Sequence, residues 1–257
     1  MYNAAAHIAE TLAAVSLQAI PEPWRLEIIV VDDASLDQSA QIVKIFPDGR
    51  VRLISNSVNS GRAHTRNVGL QAAEGEFCLF LDADCTYAHR HTVGVYIDLF
   101  TRGARACFGV VTTEGQGFWP RYQRVNFEKR RHHLNPLDMI TTANFGAARD
   151  LLVRVGGFDE AYQKYGFEDR DLYFLLQKKL ANKDVLILPH IQVVHRDSIT
   201  IDQVCDKMFE AGYYSAAIFR RKHPQIYRRM TYARFDLTLM PKRLARIGTV
   251  MLRGRQW

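Results

Sequence analysis

Short apolar runs alternate with amphipathic stretches along the first 112 residues of the chain. The run Leu26–Val31 is rich in β-branched residues and does not alternate with polar ones, which favours a strand buried on both faces of a parallel sheet. The run Glu76–Leu81 has the same character. The whole pattern predicts strands at 26–31, 51–55, 76–81 and 106–112, and helices at 37–46, 60–73 and 91–102. We therefore expect an α/β fold with a mainly parallel central sheet flanked by helices.

The pattern changes after residue 115. Phe118–His133 is long, aromatic and basic, and Asn135-Pro136 interrupts it. Beyond it the spacing predicts strands at 142–147, 185–188 and 191–194, a helix that Gly156-Gly157 ends, and helices at 169–180 and 201–221. Since the chain shows no internal repeat and no low-complexity linker, we expect one compact domain over residues 1–222 and a tail over residues 223–257.

Composition places the chain among soluble globular proteins, with 47% hydrophobic and 24% charged residues. No window offers the roughly 18 uninterrupted apolar residues of a membrane span, and the start has no signal-peptide pattern. The four cysteines are widely spaced and form no CxxC pair, which indicates neither a zinc site nor a disulfide framework. These features predict a cytoplasmic protein.

The formal net charge of +7 is distributed unevenly. Residues 1–218 carry a net charge of −3, whereas residues 219–257 carry 11 basic residues and one acidic residue, Asp236. A body that binds nucleic acid would carry a basic stripe on its folded surface. We therefore expect no nucleic-acid partner.

The tail alternates apolar residues with arginines and ends in Trp257. A basic amphipathic helix of this kind is typical of segments that lie on an anionic membrane surface. This interpretation predicts peripheral contact with the cytoplasmic face of the membrane. The alternative is a basic surface helix packed on the domain.

Carboxylates follow two of the predicted buried strands. Asp32 and Asp33 end the first, and Asp82 and Asp84 follow the strand 76–81. Ligands bind beyond the carboxyl ends of the strands in an open parallel sheet, so these side chains are candidates for one site. Asp82 and Asp84, two residues apart, suit a hard divalent cation that also contacts a diphosphate. The alternative for each pair is a helix cap, with Ser35 assisting the first pair.

Five motifs occur in order along the chain: VVDDASLD at 30–37, NSGRAHTRNVG at 59–69, FLDADC at 80–85, GGFDE at 156–160 and EDRDL at 168–172. Together they resemble the family 2 glycosyltransferases, which have the GT-A, Rossmann-like fold that binds nucleotide-diphospho-sugars. The resemblance runs from about residue 2 to about residue 222. It also implies a departure, because the family usually begins with a strand that leads into the residues seen here as Tyr2-Asn3. We expect that strand to be absent and the backbone groups of two neighbouring strands to lack partners.

The resemblance implies a role for each matching donor-site residue. Asp33, with Asp32 beside it, is expected to contact the nucleobase or ribose. Arg66 and Asn67 are expected near the nucleotide, where Arg66 contacts a phosphate or a carboxylate of the site. Asp82 is expected to contact the ribose or the donor sugar.

The metal and the reaction are assigned by the same resemblance. Asp84 is expected to hold Mg²⁺ or Mn²⁺, and His195 to complete the metal shell, with a buried or surface histidine without a ligand as the alternative. Asp169 is expected to be the catalytic base and Glu168 to contribute to the acceptor site. Both acids would also suit the N-terminal turn of a helix through its dipole.

The activity that follows from the resemblance is metal-assisted, inverting transfer of a sugar from a nucleoside-diphosphate donor to a hydroxyl of a glycan or a lipid-linked acceptor. Such a reaction fits polysaccharide biosynthesis for the cell envelope. Two alternatives stay open, a nucleotidyltransferase that makes sugar nucleotides and a non-catalytic protein that binds them. The chain shows no glycine-rich, arginine-containing N-terminal loop of the nucleotidyltransferase kind.

Overall fold

A computed structural model describes residues 1–114, 116–133, 140–180, 184–196 and 199–230, together with Ala233, Asp236 and Leu239. Of residues 126–133 it describes the backbone alone. The predicted break at Asn135-Pro136 and most of the tail lie outside the described residues.

The described elements alternate between helix and strand, and most lie within a few residues of the predicted bounds. In chain order they are α1 (Ile8–Ser16), β1 (Ile28–Asp32), α2 (Ser39–Lys44), β2 (Val51–Ser55), α3 (Arg62–Ala72), β3 (Phe77–Leu81), β4 (Cys85–Tyr87), α4 (Thr92–Thr101), β5 (Ala106–Thr113), α5 (Phe118–His133), β6 (Asn144–Ala148), α6 (Arg149–Val155), α7 (Glu168–Lys179), β7 (Val185–His195), α8 (Ile201–Glu210), α9 (Ala216–Lys222) and α10 (Pro224–Tyr227). A π-helical turn, Ala211–Ser215, joins α8 to α9. None of the helices in these ranges is long and apolar enough to cross a membrane.

The strands form a parallel pair, β1-β2, and a five-stranded sheet in the order β3-β6-β5-β7-β4. The α/β class is confirmed, but the expectation of mainly parallel pairing is wrong for the larger sheet. There only β5 and β7 are parallel, while β6 runs antiparallel to β3 and β5, and β4 runs antiparallel to β7. A buried apolar run looks the same in either direction, so its pattern does not determine how a strand pairs.

The open edge of β1 is occupied by the first residue of the chain. The Met1 carbonyl accepts a hydrogen bond of 2.8 Å from the backbone N–H of Asp33. The Met1 amino group donates to the carbonyl of Val31. Among the described strands none lies between β1 and β3, so β1-β2 and the larger sheet are separate hydrogen-bonded ladders.

Two details of the larger sheet differ from the prediction. β7 runs through Pro189 as one strand instead of two, with a register shift where Phe108 pairs with Ile187 and Val110 pairs with Gln192. Pro189 has no backbone N–H, which suits it to such an irregular position. β4 has only three residues, too few to show a hydrophobic period.

The main core lies between the large sheet and helices α6 and α7. Phe108 stacks on Phe145 with ring centroids 4.4 Å apart, and Phe158 packs edge-on against Phe80 at 5.3 Å. Leu172 and Leu176 of α7 are almost fully buried in the same cluster. This packing fixes the start of α7, with its acidic residues, relative to the end of β3.

Candidate active site

Strand pairing brings Asp84 and His195 together. In the register of β4 with β7, Cys85 lies opposite His195, and β5 places Thr113 beside the same histidine. His195 Nε2 lies 3.3 Å from Asp84 Oδ2. One ligand atom each of Asp84, Cys85 and His195 falls within 4.8 Å of the others.

The charges at this point fit a divalent cation. Burial raises the pKa of Asp84, but its bond to His195 and the nearby charges of His195 and Arg62 outweigh burial and lower the pKa to about 2. Burial strongly raises the pKa of the Cys85 thiol, which therefore stays protonated and is a poor ligand. The carboxylate of Asp84 and the imidazole of His195 remain as one oxygen and one nitrogen ligand for a divalent cation.

Arg66 connects three of the sequence motifs. Its Nη2 donates to Asp82 Oδ1 at 2.9 Å, and its Nη1 donates to Glu168 Oε1 at 3.0 Å. The guanidinium also lies over the ring of Phe158, 5.4 Å from the centroid. The arginine thus fixes Asp82 and Glu168 on either side of one cation, and its expected position near the nucleotide stays a prediction.

Glu168 and Asp169 form the first turn of α7. Phe167 precedes them in the left-handed conformation, with φ of 73°, and turns the chain sharply into the helix. Glu168 is buried, and its Oε2 has no hydrogen-bond partner among the described residues. A buried acceptor without a partner is costly unless a ligand supplies a donor.

Asp169 has the electrostatics of a general base. Burial raises its pKa, Arg170 lowers it, and Glu168 raises it, with a net rise above the ordinary value. The Oδ1 atom of Asp169 accepts a 2.8 Å hydrogen bond from the backbone N–H of Arg170. The side-chain Nη1 of Arg170 lies 3.9 Å from the same oxygen. A carboxylate with a raised pKa accepts a proton more readily near neutral pH.

Asp32 and Asp33 lie at the end of β1, both buried. Asp33 accepts hydrogen bonds from the Asn56 side chain at 2.8 Å and from the backbone N–H groups of Ser60 at 3.0 Å and Gly61 at 2.9 Å. Burial raises the pKa of Asp33, but these bonds lower it overall. The carboxylate thus holds the turn before α3, not the start of α2, while Asp32 accepts a 3.3 Å bond from the Ser35 N–H. Their expected contacts with the nucleobase or ribose stay a prediction.

Asn67 connects α3 to the GGFDE motif. Its side chain donates to the Phe158 carbonyl and to Glu160 Oε1, each at 2.8 Å, and accepts a 2.8 Å bond from the Phe158 N–H. A Cβ on Gly157 would lie 2.5 Å from Asn67 Oδ1, so only glycine fits there. These contacts give Asn67 a scaffold role, and its contact with a nucleotide stays a prediction.

Two features near the site are not indicated by the motifs, although the residues concerned, Asp171 and Arg62, lie within them. Asp171, fully buried, accepts hydrogen bonds from Lys222 and, at 2.6 Å, from His223 Nε2. Both partners lie about 50 residues away along the chain, beyond the reach of any local pattern. Arg62, one turn before Arg66, is the second feature, and only its i, i+4 spacing would have indicated it.

The fold and the acidic site at its strand ends define a protein of GT-A architecture. The sequence model of Glycosyl transferase family 2 matches residues 1–198, and the chain belongs to this family. The manganese-bound mannosyltransferase PcManGT of Pyrobaculum calidifontis, solved with GDP-Man, superimposes with a TM-score of 0.61 at 22% identity, over 88% of this chain and 62% of that one. This likeness confirms the expected fold.

Two curated relatives match part of the chain. The poly(ribitol-phosphate) beta-N-acetylglucosaminyltransferase TarS of Staphylococcus aureus is 38% identical over 94 residues, which cover 36% of this chain and 16% of TarS. The Escherichia coli WfgD, a UDP-Glc:alpha-D-GlcNAc-diphosphoundecaprenol beta-1,3-glucosyltransferase, is 37% identical over 83 residues, which cover 32% of each chain. The matches therefore span a third or less of these relatives.

Proposed function

We propose that this chain is an inverting glycosyltransferase that moves a sugar from a nucleoside-diphosphate donor to a hydroxyl of a glycan or lipid-linked acceptor. The observation that carries the proposal is the pair of ion pairs formed by Arg66, which joins Asp82 after β3 to Glu168 at the start of α7. The names of TarS and WfgD include a polyol-phosphate polymer and a diphosphoundecaprenol acceptor, and both support a cell-envelope glycan as the acceptor class.

The reaction uses the raised pKa of Asp169. The acceptor hydroxyl gives its proton to Asp169 while its oxygen attacks the anomeric carbon of the donor sugar. The bond from that carbon to the β-phosphate oxygen breaks, and the nucleoside diphosphate leaves with the bonding electrons. One displacement of this kind inverts the anomeric configuration.

Asp84 and His195 are the residues that would hold Mg²⁺ or Mn²⁺. When bound, the cation offsets the negative charge that develops on the leaving diphosphate. Asp84 is ionised at neutral pH because its pKa is about 2, so the carboxylate needs no proton loss to serve as a ligand. Asp82, held by Arg66, would contact the donor sugar or the ribose.

The Asp169→Asn variant tests the assignment of the base. We expect transfer to fall by about 10²- to 10⁴-fold, since the amide cannot accept the proton, while affinity for the nucleoside diphosphate is unchanged. The matched control is Asp150→Asn, which alters the second residue of α6, an exposed aspartate paired with Arg105 and Arg154. The readout is nucleoside diphosphate release from a panel of nucleotide sugars, with Mn²⁺ and with a chelator.

Three results would contradict the proposal in different ways. Transfer by Asp169→Asn at the wild-type level would remove Asp169 as the base. Release of pyrophosphate instead of nucleoside diphosphate would indicate a nucleotidyltransferase. Tight binding of nucleotide sugars with no turnover on any acceptor of the panel would indicate a non-catalytic binding protein.

A further inference from the structure

Arg62 is the first residue of α3 and lies one turn before Arg66. Arg66 is largely buried and has both Nη atoms committed to carboxylates, whereas Arg62 is exposed. Within the described part of the chain Arg62 forms no ion pair. Its guanidinium carbon lies 4.9 Å from the centroid of the Tyr165 ring, a cation–π contact.

Arg62 nevertheless lies in the electrostatic field of the site. Partial desolvation lowers the pKa of Arg62, but the charges of Asp82, Glu168 and Asp84 outweigh this effect and raise the pKa above its ordinary value. The carboxylates that Arg66 holds therefore also attract Arg62, although none of them pairs with it directly.

A nucleoside diphosphate adds negative charge to an edge that already holds Asp82, Asp84, Glu168 and Asp169. A cation bound at Asp84 and His195 would offset part of that charge, and Arg66 is already paired with two carboxylates. A guanidinium that retains its five N–H donors matches the geometry of phosphate oxygens and can bind two of them at once. Arg62 is such a group, at the solvent side of the site.

We propose that Arg62 moves from the Tyr165 ring to bind phosphate oxygens of a substrate, either the diphosphate of the donor or a phosphate carried by the acceptor. Tyr165 then holds the guanidinium when no substrate is bound. The ring also lies 5.6 Å from Lys207 Nζ, so a second cation from α8 faces the same tyrosine. The inference rests on the proposed function and adds to it a phosphate contact by Arg62, a residue to which the resemblance assigns no role.

The donor arm of the test compares ligands with and without phosphate. UDP and GDP, with their nucleosides uridine and guanosine, are titrated calorimetrically in the presence of Mn²⁺ against wild type, Arg62→Gln and Arg62→Lys. If Arg62 binds the donor diphosphate, Arg62→Gln weakens the diphosphate by about 10- to 100-fold, the size expected for one charged hydrogen-bonded contact. Nucleoside affinity stays the same, and Arg62→Lys retains part of the diphosphate affinity.

The acceptor arm measures KM for a phosphate-bearing acceptor and for its phosphate-free counterpart. Unchanged diphosphate affinity in Arg62→Gln, with a KM raised only for the phosphate-bearing acceptor, assigns the contact to the acceptor. Arg102→Gln is the control, because Arg102 is an exposed arginine directly after α4 and is paired with Asp98 of that helix. Thermal unfolding of each variant checks that it is folded.

The inference is overturned if Arg62→Gln matches wild type in both arms, or if it weakens nucleoside and diphosphate equally. Such a result leaves the proposed function intact, because the wild-type protein still binds the diphosphate and transfers sugar. Absence of diphosphate binding by the wild-type protein with Mn²⁺ contradicts the proposed function and this inference together.

Discussion

Burial and the neighbouring charges shift the pKa of Asp169 in opposite directions. Burial and Glu168 raise the pKa, while Arg170 and Arg66 lower it. A base must be ionised to act, so a raised pKa places the acid limb of the rate profile at higher pH than an ordinary aspartate would. Among these neighbours Arg170 is the one that can be removed without disturbing the ion pairs of Arg66 with Asp82 and Glu168.

Replacing Arg170 by methionine should therefore move the acid limb of kcat/KM to higher pH. Loss of the positive charge leaves burial and Glu168 to raise the pKa of Asp169 further. The measurement is kcat/KM against pH for wild type and Arg170→Met, with Arg154→Met as control, since Arg154 lies near the exposed end of α6. A shift to lower pH, or an equal shift in the control, would contradict the role given to Asp169.

Single residues also show how far the sequence alone could predict the site. The motifs selected Asp82, Arg66 and Glu168, and the structure brings all three together at hydrogen-bonding distance. They did not select Arg62 or the partners of Asp171, because these depend on which helices pack together across the fold. Motif spacing records positions along the chain, whereas the pairing of Asp171 with His223 joins residues 52 positions apart.

At the scale of elements, hydrophobic periodicity located most helices and strands but did not determine strand direction. The predicted bounds of Val51–Ser55 match the observed ones, because the turn-forming pairs Asp48-Gly49 and Asn56-Ser57 flank this strand. β6 and β4 run antiparallel to their neighbours, and no local pattern distinguishes that arrangement from a parallel one. The predicted glycine stop after α6 is confirmed, with Gly156 in the left-handed conformation.

The two glycines after α6 allow a matched test of the link from α3 to this loop. Both have positive φ, 88° for Gly156 and 68° for Gly157, so alanine at either position carries the left-handed penalty of about 1–2 kcal/mol. Only at Gly157 does the added Cβ also meet Asn67 Oδ1 at 2.5 Å, whereas the Cβ at Gly156 meets nothing within 4 Å. We expect Gly157→Ala to lower the free energy of unfolding, measured with urea, clearly more than Gly156→Ala. Equal losses would show that the Asn67 contact does not hold the loop.

At the scale of the whole molecule, charge is distributed unevenly along the chain. Residues 1–218 carry a net charge of −3, whereas the C-terminal segment is strongly basic. Residues 240–257 carry five basic side chains and no acidic one, and they lie outside the described residues. Asp236, which precedes them, accepts hydrogen bonds from Arg220 Nη1 at 2.9 Å and from the Tyr227 hydroxyl at 3.1 Å. A chain ending at Leu239 therefore keeps these contacts and removes only the basic segment.

Flotation with vesicles tests whether that segment binds membranes. Each basic residue near an anionic surface contributes about 1 kcal/mol, so we expect the full chain, but not residues 1–239, to float with phosphatidylserine-containing vesicles. Binding should be absent with neutral vesicles and should weaken as salt screens the charges. A full chain with Arg243, Arg246 and Arg253 changed to glutamine separates charge from apolar contact, because it keeps every apolar residue of the segment. Equal flotation of the full chain and residues 1–239 would favour the alternative, a basic segment packed on the domain.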